Sequence, residues 1–154
     1  MLETPHVAVG AALAIKIGNP ALSIPLSLAS HFILDRIPHW NPSFFTETKT
    51  HGRPKTNSVC FSGIESLVAL FLGLALAYQA LPNWGLAITV IVCSFASVAS
   101  DVIKIPFFFF RSKNKWLERW VIFERSLQVE TENIFLGLLT QVLVIGASLY
   151  WIFT

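Results

Sequence analysis

Charge is scarce in this chain of 154 residues: Asp, Glu, Lys and Arg together make up 13%, against roughly 25% in a soluble domain. Cysteine is nearly missing as well. Cys60 and Cys93 fall in or beside apolar segments, with no Cys-x-x-Cys and no secreted small-domain pattern, so they read as buried thiols. No basic stretch precedes the first apolar run, which follows Glu3 directly. The start is therefore read as mature sequence, not as a cleaved signal. A net charge of +2 is too small to argue for nucleic acid as a partner. What the chain has instead is 54% hydrophobic residues, thirteen Phe, five Trp and a mean hydropathy of +0.63. That composition predicts an all-α, polytopic membrane protein forming one domain over residues 1–154.

Thr4 and Pro5 open the first helix as N-cap and first helical residue. Its apolar run, Val7 to Ile17, stops at Gly18-Asn19-Pro20, and a second run extends from Ala21 to Leu34. Both are shorter than the ~20 residues that cross a bilayer. Residues 5–35 are therefore expected to form a short helical hairpin that re-enters the membrane, or two short helices sheltered by the others. Residues 61–81, 84–104 and 133–153 are long enough to span. Polar loops are expected over 36–60 and 105–132. Within the second, residues 106–130 repeat Trp116, Leu117, Trp120, Val121, Phe123 and Leu127 at three- to four-residue spacing. This is the pattern of an amphipathic helix lying along headgroups, or of one packed under the bundle.

Basic residues orient the segments. Arg36, Lys49, Arg53 and Lys55 precede the first span; Lys104, Arg111, Lys113, Lys115, Arg119 and Arg125 follow the second; only Lys16 falls on the opposite face. The positive-inside rule makes the crowded face cytoplasmic. The expected location is the inner membrane, multi-pass, with the N-terminus inside and the C-terminus outside. Trp84, Tyr150 and Trp151 anchor the far interface.

Ionisable residues next to lipid point to function. His31, Asp35 and His39 stand four apart, so the first two share a helix face, about 6 Å apart along the axis. His39, just past Pro38, can fold back toward them. With the topology above, His6, Glu65 and Asp101 reach the same depth on the same side. Stripes of small and polar residues, such as Ser23, Ser27, His31 and Asp35, turn this cluster inward. His6, His31, Asp35 and His39 are the candidate metal ligands, with Asp101 or Glu65 as general base or as the group orienting a histidine; the alternative for Asp101 is an ion pair with Lys104 or Arg36. A mixed His/Asp set favours zinc, ahead of manganese or iron, as the divalent metal. Zinc acidifies a bound water toward neutral pH and so supplies a nucleophile for hydrolysis.

The start Pro5-His6-x-x-x-Gly-Ala and the run Ser30-His31-x-x-x-Asp35-x-x-Pro38-His39 resemble the membrane-bound metal-dependent hydrolases of bacteria. These are small inner-membrane proteins compared with the zinc-dependent phospholipase C group. The likeness covers mainly residues 4–41. It implies His6, His31, Asp35 and His39 as metal-site residues. A further His-Arg-Gly-x-Thr-His-Ser element of that family has only Thr50-His51-Gly52-Arg53 as a counterpart here. The expected activity is hydrolysis of lipid headgroup esters or phosphoesters, with membrane lipids as partners. The competing expectation is a non-catalytic membrane scaffold or stress protein whose polar cluster fixes helix packing. A small transporter or ion conduit ranks third, because the far halves of the helices carry almost no ionisable residue to relay a charge.

Overall fold

Gly18, at φ +67°, ends the first helix in the left-handed conformation that glycine adopts without steric cost. Asn19 then caps the second helix by accepting the Ala21 N–H at 3.0 Å. In the computed structural model, which describes residues 1–154, seven helices follow in order. They are α1 (Glu3–Ile17), α2 (Pro20–Leu34), α3 (Phe44–His51), α4 (Thr56–Gln79), α5 (Trp84–Phe109), α6 (Lys115–Leu127) and α7 (Ile134–Phe153). There are no strands, only one isolated parallel bridge between His39 and Glu130.

The short α1 lies at the centre, packed against α2, α4, α5 and α7. Its alanines make this possible: Ala8, Ala11, Ala12 and Ala14 are fully buried. At Gly10 a Cβ would stand 2.6 Å from the Cys93 carbonyl oxygen. Only glycine lets α1 and α5 approach so closely. The four-residue stripes expected on the helices turn inward at Ser23, Ser27 and His31 on α2, Ala69, Gly73 and Ala77 on α4, Ser94 and Ser97 on α5, and Gly137 and Gln141 on α7. Glu65 and Asp101, which extend two of them, are half-buried, and Asn133, expected to begin the last, is exposed as the cap of α7.

The outer faces are the apolar ones. Phe71, Ile64, Phe135 and Val142 are among many large hydrophobic side chains left exposed. A soluble monomer does not expose continuous apolar surface of this extent. Three helices, α4, α5 and α7, are long and apolar enough to cross a membrane. Their 24, 26 and 20 residues correspond to about 36, 39 and 30 Å, against a hydrocarbon core of ~30 Å.

Several boundaries differ from the sequence expectation. Helix α4 begins at Thr56, five residues before the predicted span, because nothing after Pro54 interrupts a helix. Helix α5 runs through Pro106 to Phe109, so the first residues of the predicted 106–130 segment complete a spanning helix. Asn114 then caps a separate α6. The expected polar loop 36–60 contains α3, and Glu47 secures its turn into α4 by accepting from the Lys55 N–H and the Ser58 hydroxyl. Cys93 is buried as expected, whereas Cys60 is exposed. Thr4 does not cap α1 with its side chain; Glu65 of α4 does so instead, accepting the N–H groups of Glu3 at 2.9 Å and Thr4 at 2.7 Å. A cap donated by another helix leaves no local sequence signal.

Candidate metal centre

Four pieces of chain meet at one end of the bundle. Helix α1 brings His6 in its first turns. Helix α2 brings His31 and ends on Asp35. Helix α5 brings Asp101 and Lys104, and α6 brings Glu124. Backbone pairing ties the α2 end to the chain after α6: Val129 N–H donates to the Asp35 carbonyl, His39 N–H to the Val129 carbonyl, and Thr131 N–H to the His39 carbonyl. His6, His31 and His39 are fully buried, and Asp35 and Glu124 are each 1% exposed.

His31 is the hub. Its Nδ1 lies 2.9 Å from the Ser97 carbonyl oxygen, an acceptor only, so Nδ1 carries the proton and donates. Nε2 therefore faces the carboxylates: Glu124 Oε1 at 3.0 Å, Asp35 Oδ2 at 3.5 Å and Asp101 Oδ2 at 3.8 Å. Metal-bound histidines commonly donate the other ring nitrogen to a backbone carbonyl in this way. Donor atoms about 2.0–2.2 Å from one tetrahedral ion lie about 3.4 Å apart, close to these separations. Two overlapping donor groups result, His6–His31–Asp101 and His31–Asp35–Glu124, with ligand atoms within 4.8 Å of one another in each.

His6 stacks on His31, and neither of its ring nitrogens has a hydrogen-bond partner. Its Nε2 lies 3.4 Å from Asp35 Oδ1, without hydrogen-bond geometry. Glu124 Oε2 is likewise buried and unpartnered. Buried polar atoms without partners are rare and costly, and these border the same small volume.

Asp35 stands at a helix C-terminus, where the backbone dipole disfavours an anion. Its carboxylate also accepts from Gln128 Nε2 at 3.0 Å and from the Met1 ammonium. Burial pushes its pKa up, but the His6 imidazole and the Met1 ammonium outweigh burial and hold the group well below the usual carboxylate range. His39 donates from Nδ1 to the Ile37 carbonyl at 2.8 Å. Its Nε2 lies 3.9 Å from Asp35 Oδ1, farther out than the nearest donors. Burial, and then the Met1 ammonium, hold the His39 imidazole below its usual value.

Thus His6, His31, Asp35 and Asp101 come together, and His39 lies at their edge. Glu65 does not join them: both its oxygens hold the start of α1. His51 is exposed at the end of α3. One site residue, Glu124, is missed by the sequence reading. Glu124 shares the buried face of α6 with Leu117 and Val121, and that i, i+4, i+7 spacing was its available signal. Lys104 pairs with Asp101 at 2.5 Å, the ion-pair alternative given above, and also with Glu124 at 2.7 Å. Comparison with protein-family models, with curated proteins and with solved structures found no match.

Proposed function

We propose that this chain is a membrane-bound metal-dependent hydrolase acting on an ester or phosphoester bond of a lipid headgroup. The observation that carries this reading is His31: with Nδ1 fixed on Ser97, Nε2 faces three carboxylates beside the unpartnered His6. Three close carboxylates against one lysine and the Met1 ammonium leave a negative remainder, which a divalent cation neutralises. Mixed imidazole and carboxylate donors select zinc over calcium or magnesium. Zinc bound there would lower the pKa of a water molecule and so supply the nucleophile. Asp101 is the most accessible of the clustered carboxylates and is placed to accept a proton from such a water. Lys104 limits the charge repulsion between Asp101 and Glu124. Glu65 acts at one remove, as a positioning residue that holds α1 and therefore His6. The resemblance of residues 4–41 to membrane-bound metal-dependent hydrolases supports the same activity.

In this reading the site lies at the cytoplasmic boundary of the inner membrane. The basic residues flanking α4 and α5 set that orientation. Helix α6, with Leu117 and Val121 buried and Trp116, Ile122 and Phe123 exposed, lies along the headgroups. The test is metal analysis of the purified protein and of His31→Ala under non-chelating conditions. Zinc, manganese or iron bound to the wild type and lost from the variant supports the proposal; a metal-free wild type overturns it.

A non-catalytic scaffold is the second reading, favoured by one observation. Lys104 already bridges Asp101 and Glu124, as a packing network without an ion would require. It predicts that His31→Ala and Asp35→Asn lower thermal stability while no lipid-dependent activity is lost.

A further inference from the structure

A cavity of about 650 Å³ lies between α4 and α5, with the start of α1 as its floor. This volume is within the ~300–1,000 Å³ of small-molecule sites. Its lining changes character along its length. Toward one end the walls are apolar, with Leu70 and Leu74 of α4 facing Ile91 and Phe95 of α5. Toward the other end lie Glu3, Glu65, Asp101 and Glu130 with Lys104 and Arg125. Beyond the apolar end the two helices close against each other, where Leu76, Ala77, Val90 and Cys93 join Ala11 and Ala14 in the buried core. The cavity is thus a blind slot, polar at its head and apolar at its foot.

The slot also opens sideways. Leu70, Ile91 and Phe95 line it yet are each about half exposed, at 54%, 46% and 58%. They belong to two helices that are apolar and long enough to cross a membrane. Lining residues on α4 run from Val59 to Leu74. That stretch rises about 22 Å, more than the ~15 Å that half of a bilayer's hydrocarbon core provides. The polar end meets the candidate metal centre: Asp101 and Lys104 line the slot, and Asp101 lies 3.8 Å from His31 Nε2.

We infer that the slot between α4 and α5 holds one acyl chain of a membrane phospholipid, which enters laterally from the bilayer and leaves its headgroup at the polar end of the slot. The chain matches the apolar foot; at the head Lys104 and Arg125 already pair with Asp101, Glu124 and Glu130, so the fit rests on the acyl chain. Rim contacts with a second protein helix would not use the polar head of the slot. The inference rests on the hydrolase reading for its consequence, which is that the substrate is taken from the membrane and not from water.

The test is photolabelling, with bound metal measured on the same samples. Full-length protein in detergent is titrated with phosphatidylglycerol bearing a diazirine near the end of one acyl chain, irradiated, and mapped by peptide mass spectrometry. Saturable label is expected on Leu70–Leu74 and Ile91–Val98, severalfold above that on the exposed α7 residues Val142 and Leu143. Val98→Trp, which narrows the slot, is expected to remove the excess while leaving helical content and metal content unchanged. If Val98→Trp fails to fold, Phe95→Trp at the exposed rim takes its place. Equal, non-saturable labelling of α4, α5 and α7 overturns the inference, as do chain-to-chain crosslinks through the slot in place of lipid label. Saturable label on a metal-free protein leaves the slot standing and removes the hydrolase reading. Bound metal with uniform label removes the slot alone.

Discussion

The imidazole of His6 lies over that of His31, with ring centroids 4.3 Å apart and planes 25° from parallel. Two imidazolium ions repel at that distance, so the stack holds no more than one charge. One face of the pair looks onto carboxylates, and the other nitrogens belong to His6 and have no protein partner. His6→Phe separates stacking from ligation, because it keeps an aromatic ring and deletes both nitrogens. The expected result is a loss of bound metal with stability changed by less than about 1.5 kcal/mol, as for a near-isosteric core exchange. Metal content read beside a thermal melt checks it; undiminished metal removes His6 from the ligand set.

Lys104 offers a sharper discrimination between the two functional readings. Lys104→Met removes the cation shared by Asp101 and Glu124. Removing one partner of a buried ion pair costs about 3–5 kcal/mol. If the cluster binds a divalent ion, added zinc restores part of that loss, by about 2.7 kcal/mol at one hundred times Kd. Unfolding in denaturant, with and without zinc, gives the answer. A variant that zinc does not rescue favours the scaffold.

Glu65→Ala strips two backbone N–H groups at the start of α1 of their acceptor. A loss of about 1–3 kcal/mol is expected from unsatisfied buried donors, with metal affinity lowered only as far as His6 is displaced. Glu65→Gln keeps one acceptor oxygen and is expected to recover part of the stability. Denaturant melts of the two variants test this. A Glu65→Ala protein as stable as the wild type, yet inactive, would return Glu65 to a chemical role.

Gly10 sets the distance between the two helices that carry His6 and Asp101. Gly10→Ala places a methyl group 2.6 Å from the Cys93 carbonyl oxygen, and an overpacking cost of about 1–3 kcal/mol follows. Gly63→Ala, where a Cβ meets nothing within 4 Å, is the control and is expected to be neutral or slightly stabilising, as helix propensity favours alanine.

The legible parts of this protein were those governed by short-range pattern. Length and hydropathy gave three helices fit to span, and four-residue spacing gave the inward stripes and the His31–Asp35 pair. What stayed hidden depended on contacts between distant segments. Glu65 looked like a second acid beside the site because it matched in depth; only the approach of α1 to α4 shows it to be a cap. Glu124 sat in a helix whose charges were all assigned to the outer face, and only docking of α6 reveals that one of them is buried. The Asp101–Lys104 pair is legible at i, i+3 spacing on one helix, whereas the Glu124 partner, twenty residues on, reaches Lys104 only in the fold.

The three backbone hydrogen bonds that join residues 35–39 to 129–131 make the centre depend on segments far apart in the chain. A growing chain delivers His6, His31 and Asp35 early, but their companions on α5 and α6 follow more than sixty positions after Asp35. Without residues 101–131, Asp35 has neither Gln128 nor the Val129 backbone as a partner. A chain that stops short of α6 keeps its three histidines but lacks the segment that fixes where they point.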